Sequence, residues 1–331
     1  MNIQYYISYA KKINFSLLWF IVIGNSAMEI VPVKYQSNKN QIFAYPETVN
    51  IIGNNVDELV LKGINHIKNN GELFEARAGS GQQAYDVNYT LLNPLNRVHN
   101  IRQPIATKYF CRELLAYFKG SLDVNDGLAQ ASSVWKTLAD KNNQIASNYG
   151  YYIFHQKTPE NITQYEWVIA NLKKNLDSRK AFININQPSH KLTDTKDFPC
   201  TIGMQFFVKN NHLCCSIASR STDIYTGLPY DMGFFSFVTE LVYKDLKQQL
   251  PSEKSEHLNL GCITMKTNFT QIYDKTRTSA LKLLEASENK NLSYNTDMPE
   301  IYDAEETLKD IYNETAHSPV IKWIHKNAQF K

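Results

Sequence analysis

The sequence predicts an α+β protein built on a mixed or antiparallel sheet. Three observations lead there. Helix-patterned and strand-patterned segments are interspersed without the strand–helix–strand rhythm of a doubly wound parallel fold. Two apolar runs, Met204 to Val208 and Leu213 to Ala218, flank Lys209-Asn210-Asn211, the pattern of a hairpin. Tyr230 to Leu250 then reads as a long, largely apolar helix, which belongs at the centre of a core.

The remaining elements follow in chain order. Ile13 to Gly24 is apolar, preceded by Lys11 and Lys12 and followed by the small-residue stretch Asn25-Ser26-Ala27. It resembles the basic and apolar parts of a signal peptide, or else it is an extension upstream of a start at Met28. Its apolar run is roughly a dozen residues, short of the ~20 a membrane helix needs. From Met28 to about Asn55 the chain is mixed, punctuated by Pro32, Pro46 and Gly53. Val56, Leu59, Val60, Gly63, Ile64 and Ile67 recur at helical spacing up to a stop at Asn69-Asn70-Gly71. A second helix is expected from about Ile105 to Phe118, closed by Gly120. Ala181 to Asn186 alternates like a strand, Leu260 to Met265 reads as another, and Ala304 to Ala316 reads as an amphipathic helix. No internal repeat and no low-complexity tract interrupts this order.

Composition sets the outer limits. With 331 residues, of which 43% are hydrophobic and 20% charged, the chain can bury a sizeable core and is not of disordered type. The 35 basic and 32 acidic residues leave +3, too little to argue for nucleic acid or a membrane surface as partner. Five cysteines without regular spacing argue against a disulfide scaffold and for a reducing, cytoplasmic setting. Cys214-Cys215 lies in an apolar run and reads as buried strand. HExxH, GxGxxG and GxxxxGK[ST] patterns are absent, and no metal site is expected.

Two segments carry chemistry. Cys200 follows Phe198-Pro199 at the mouth of the hairpin, as a positioned nucleophile or an edge cysteine would. Arg220-Ser221-Thr222-Asp223-Ile224-Tyr225-Thr226-Gly227-Leu228-Pro229-Tyr230-Asp231 is dense in polar groups between a strand and a buried helix. An arginine beside a thiol favours the thiolate, and it can also grip a phosphate through two donors.

The RSTDIYTGLPYD stretch resembles the nucleotide-binding segment R-S-x-D-x-x-x-G-x-x-x-N of the thymidylate synthase superfamily. The likeness extends in order through roughly Asp57 to Asn268. Glu75-Ala76-Arg77-Ala78-Gly79-Ser80-Gly81 resembles the R-T-G-x-G phosphate loop, and Arg112-Glu113-Leu114-Leu115 the E-L-L-W-F-L helix. Trp135 matches a tryptophan of the I-W-x-x-W segment, and Asn148-Tyr149-Gly150 the V-Y-G loop. Asp177-Ser178-Arg179-Lys180 resembles the S-R-R segment, and Phe198-Pro199-Cys200 the P-P-C segment.

The resemblance implies a thymidylate synthase-like fold, a mixed sheet packed with helices that pairs through the sheet as a homodimer. Residues 1–55 would be an N-terminal extension, 56–280 the catalytic domain and 281–331 a helical segment completing it. It also implies one-carbon transfer from 5,10-methylenetetrahydrofolate to C5 of a pyrimidine nucleoside monophosphate. Thiolate addition at C6 makes C5 nucleophilic. On this reading Cys200 is the nucleophile. Arg220 activates it and holds the 5′-phosphate with Arg77, Ser221 and, across the dimer, Arg179. Glu113 relays protons at the base and Tyr149 supports proton removal at C5. Trp135, Asp223 and Gly227 face the folate.

Departures from the family pattern bear on specificity. Asp231 stands where thymidylate synthases have Asn. A carboxyl group accepts from the cytosine amine and, when protonated, donates to N3, whereas an amide suits uracil. That points to the deoxycytidylate or cytidylate hydroxymethylase branch. The alternatives are methylation of dUMP, or a homologue that binds nucleotide without turnover. Thr264 and Lys266 replace the His and Tyr that hold the sugar, so either they take over that contact, with CMP or dCMP as substrate, or the site is degenerate. Thr201 and Ser219 replace a His and a Gln, and the family's closing tail is not recognisable after about Ala280.

Overall fold

A computed structural model describes residues 47–288 and 298–329. The stretch resembling a signal peptide lies outside the described residues. Among them, no helix is long and apolar enough to cross a membrane.

The centre is a seven-stranded sheet in the order β1-β3-β7-β6-β5-β4, with β2 paired to β3. Its strands are β1 (Val49–Gly53), β2 (Glu72–Ala76), β3 (Gly79–Leu91), β4 (Phe182–Asn184), β5 (Thr201–Lys209), β6 (His212–Asp223) and β7 (Asn259–Tyr273). The sheet is mixed, as expected: β1 with β3 and β6 with β7 run parallel, and the other pairs antiparallel. The β5–β6 hairpin turns at Asn210 and Asn211, whose φ of 49° and 59° place both in the left-handed region that asparagine tolerates. Strand β1 falls within the stretch expected as an extension. The strand expected at Leu260 to Met265 runs on to Tyr273.

Helices α1 (Val56–Asn70), α2 (Ile105–Lys119), α3 (Gln164–Lys174), α4 (Leu228–Gln249), α5 (Asp274–Glu288), α6 (Ala304–Asn313) and α7 (Pro319–Ala328) complete the fold. Asn55 caps α1 by accepting from the Glu58 N–H, and Gly120 ends α2 with φ 65°. Helix α4 is buried on all sides over most of its length, which explains why its sequence lacks a polar face. Its Glu240 joins the buried Arg97 and also accepts the Ile301 N–H at 2.8 Å, tying the C-terminal helical segment to the core. Arg112 on α2 donates to the carbonyls of Ala328 and Gln329 at 2.7 and 2.8 Å.

One face of the sheet is buried under helices and the other is open. The alternation that assigns residues to faces reverses at a row shared by three strands, and a separate register shift lies between Leu213 and Cys215 on β6. The pairing skips Asp86 on β3, Asn268 on β7 and Arg220 on β6. Buried positions then change parity, from Ser219 to Thr222 on β6 and from Thr267 to Thr270 on β7. Asp86 has φ 51°, the backbone of a bulge. A further irregularity separates Thr201 from Gly203 on β5. Cys200 and Arg220 lie on this kinked row.

Candidate active site

The Phe198-Pro199-Cys200 loop is held in place by Arg220. Its Nη2 donates to the Phe198 carbonyl at 2.5 Å and its Nε to the Pro199 carbonyl at 3.2 Å, with the guanidinium 5.1 Å from the Phe198 ring centre. The Cys200 carbonyl accepts the Arg220 N–H at 2.9 Å and the Ser219 hydroxyl at 3.1 Å. Arg220 Nη1 donates to Ser221 Oγ at 3.2 Å, and Ser221 Oγ lies 3.6 Å from Cys200 Sγ. While it accepts from the guanidinium, that oxygen is free to donate its own proton to sulfur. Burial pushes the Cys200 thiol up, and the Arg220 charge and the Ser221 hydroxyl pull it back.

Three further strands of contact fix the surroundings. Arg77, in the β2–β3 turn, is exposed and donates to the carbonyls of Thr195, at 3.1 Å, and Lys196. Between them and Cys200, the buried Asp197 accepts the N–H groups of Ala146 and Ser147 at 2.6 and 2.8 Å. The Asn148 side chain donates to the carbonyls of Ala116 and Ser121 at 3.0 and 2.8 Å. A Cβ at Gly150 would stand 1.7 Å from the Tyr117 carbonyl oxygen, so only glycine lets this loop approach α2. Tyr149 is thereby stacked between Tyr117 and Phe235, at 5.5 and 5.8 Å. Burial raises its phenol well above the ordinary range, and the charges of Asp231 and Cys200 add to that.

Two carboxyls meet beside Tyr149. Glu113 on α2 is buried and accepts the Tyr109 hydroxyl at 2.7 Å. Burial pushes it up to about 8, opposed by the Tyr109 bond and reinforced by Asp231. Asp231, in the first turn of α4, makes no side-chain hydrogen bond to any described residue, and burial pushes it up to about 7. Both can therefore carry a proton near neutrality.

On the other side, Asp223 closes the turn that starts α4. Its Oδ1 accepts the N–H groups of Tyr225 and Thr226 at 2.8 Å each. A Cβ at Gly227 would come to 3.0 Å from the Asp223 carbonyl oxygen. The neighbouring Gln271, paired with Asp223 across the strands, has a buried Oε1 with no partner, as has the Thr222 hydroxyl. Trp135 is half-buried and donates from Nε1 to Tyr109 Oη at 3.4 Å.

The structure brings Cys200, Arg220, Ser221, Tyr149, Glu113 and Asp231 together, with Trp135 joined through Tyr109. It does not bring Thr264 and Lys266 there. Thr264 Oγ1 bonds Thr90 Oγ1 at 3.1 Å and Lys266 pairs with Asp86 at 3.2 Å, both on the open face. Arg179 is exposed and likewise apart from the cluster. Sequence reasoning missed Tyr109 and Tyr117, the phenols bonded to Glu113. Their spacing of four residues on either side of Glu113 is the signal that marks them. Among the described residues no group of three or more His, Cys, Asp or Glu is placed to hold a metal ion.

Comparison with known proteins matches residues 60–317 to the family described as thymidylate synthase. Deoxycytidylate 5-hydroxymethyltransferase of Enterobacteria phage T4 is 26% identical over 172 residues, covering 51% of this chain and 68% of the phage protein. Its counterpart in phage T6 is 28% identical over the same shares. Thymidylate synthase of Buchnera aphidicola is 31% identical over 142 residues, covering 41% of this chain and 52% of that enzyme.

Proposed function

The chain belongs to the thymidylate synthase family, and on that premise we propose that it transfers a one-carbon unit to C5 of a cytidylate, producing the 5-hydroxymethyl nucleotide. The observation that carries this reading is Asp231, a carboxyl without a hydrogen-bond partner among the described residues, held near a neutral-pH titration beside Glu113, Tyr149 and Cys200. Protonated, it donates to N3 of cytosine and accepts from the C4 amine.

Cys200 adds as thiolate to C6, assisted by Ser221 and Arg220. Glu113 holds and moves protons at the base, and Tyr149 supports loss of the C5 proton. Arg220 and Ser221, with Arg77, would face the 5′-phosphate. Methylenetetrahydrofolate would supply the one-carbon unit when bound. The second oxygen of Asp223 and the unpaired Gln271 Oε1 are acceptors suited to the N–H-rich edge of a pterin, and Trp135 offers a flat apolar face.

We also infer a homodimer through the open face of the sheet. That face exposes Ile52, Ile202, Phe207 and Phe269, and the exposed Arg179 would extend to the partner's phosphate site.

Incubation with methylenetetrahydrofolate and each of CMP, dCMP, UMP and dUMP, followed by mass spectrometry of the nucleotide, tests the proposal. A 5-hydroxymethylcytidylate is expected. A methylated uridylate as the sole product would replace it with the thymidylate synthase reaction.

A further inference from the structure

Helix α2 carries Tyr109, Glu113 and Tyr117 at intervals of four, which sets them on one stripe of the helix. The Tyr109 hydroxyl donates to Glu113 Oε1 at 2.7 Å and accepts from the indole of Trp135, whose Nε1 is 3.4 Å away. An indole can only donate, so the phenol accepts from Trp135 and keeps its own proton to give to Glu113. The Tyr109 ring is itself fixed by Tyr230, with ring centres 4.5 Å apart. Tyr230 immediately precedes Asp231. One side chain thus touches Trp135, the proton-handling Glu113 and the turn of α4 that carries Asp231.

We propose that Tyr109 is a positioning residue that sets the orientation and hydrogen bonding of Glu113 and links it to Trp135. The proposal rests on Glu113 being the group that moves protons at the base. The groups facing Glu113 are Tyr109 and Tyr117 from its own helix and Asp231 and Tyr230 from α4, with Tyr149 beyond Tyr117. Of these, Tyr109 is the one that also contacts Trp135. A phenol that donates to a carboxylate favours its ionised form, opposing burial and the Asp231 charge. Losing the donor lets those two push Glu113 further up.

Tyr109→Phe keeps the ring and its contact with Tyr230 and removes only the hydroxyl. The carboxyl carbon of Glu113, assigned by comparison with Glu113→Gln, can be titrated by carbon-13 NMR in the unliganded protein. In Tyr109→Phe its midpoint should rise by about one pH unit. Trp135→Phe should shift it in the same direction by less, and the double variant no further than Tyr109→Phe alone. With nucleotide and folate, Tyr109→Phe should lower kcat about tenfold at neutral pH while the nucleotide KM stays within about twofold. A folded Tyr109→Phe protein whose Glu113 titrates as in the wild type would overturn the proposal. The titration needs no substrate. A shifted midpoint in a protein that turns over no nucleotide would therefore sink the proposed reaction and leave the Tyr109–Glu113 link standing.

Discussion

Ser221 Oγ lies 3.6 Å from Cys200 Sγ while it accepts a hydrogen bond from Arg220, so the arginine reaches the thiol both directly, by its charge, and through the serine. Burial nevertheless keeps the thiol raised in the unliganded protein. The contrast is Cys262, half-buried on β7. The neighbouring Cys214 thiol donates to it, Lys209 and His212 lie nearby, and it is held down at about 6. Alkylation near pH 7 followed by peptide mass spectrometry should therefore modify Cys262 before Cys200, and Ser221→Ala should slow Cys200 further, about three- to tenfold. Cys200→Ser should abolish turnover and leave nucleotide binding intact. Near-normal turnover in that variant would remove the covalent step.

Asp231→Asn should shift preference from cytidylate toward uridylate. An ionised carboxylate accepts from the C4 amine and repels uracil O4, whereas an amide turns either way and serves both bases, so an advantage for cytosine of ~1–3 kcal/mol, or about ten- to a hundredfold, should be lost. The change belongs in kcat/KM. Phosphate affinity should hold, since Arg77 and Arg220 are untouched. Equal cytosine-to-uracil ratios in the two proteins would mean that Asp231 does not read the base.

The carboxyl pair also links stability to pH. Glu113 at about 8 and Asp231 at about 7 keep their protons in the folded protein after the unfolded chain has released them. The stability associated with this retention is full below the unfolded values and is lost as pH rises through about 7 and 8. Glu113→Gln removes one of the two titrations. Its unfolding free energy relative to wild type should improve from about pH 5 to about pH 9, by a few kcal/mol at most. A difference that stays flat or narrows across that range in urea unfolding would contradict the shifted Glu113.

Gly150→Ala should destabilise the protein by about 1–3 kcal/mol or more, because the new methyl group meets the Tyr117 carbonyl. Relief requires moving the loop, and Tyr149 would move with it. A lower denaturation midpoint together with lost turnover is expected. An unchanged midpoint would show that the loop has room that this packing denies it.

Subunit sharing is tested by complementation. The Arg179→Ala and Arg220→Ala variants should each be impaired. Mixed and reannealed, they should recover part of the activity, since one site of the hybrid would contain both arginines. A fully active monomer by light scattering would refute the shared site.

The sequence made the middle of this molecule legible and left its rim obscure. The β5–β6 hairpin announces itself through two asparagines at a turn, and α1 through its apolar spacing and stop at Gly71. Strand β3 does not, because its first half alternates poorly and carries glycines and polar residues on both faces. The reactive cluster was readable where a motif stays local, as in Arg220-Ser221. Asp197 was not, since its partners Ala146 and Ser147 lie some 50 residues earlier and are joined to it only by folding. Thr264 and Lys266 occupy the motif's positions, yet strand alternation alone does not say which face meets the nucleotide; their bonds to Thr90 and Asp86 hold them on the open one.

The kinked row through Asp86, Asn268 and Arg220 constrains how this chain can change over time. On either side of it the strands follow opposite in–out frames, and the three extra residues keep those frames matched between neighbours. Deleting one residue from a single strand would turn half of that strand inside out against partners that have not shifted. Restoring agreement would take simultaneous changes at three distant points of the gene. Length variation among descendants of this sequence should therefore collect in the connections between elements, while β3, β6 and β7 keep a fixed count of residues across the row.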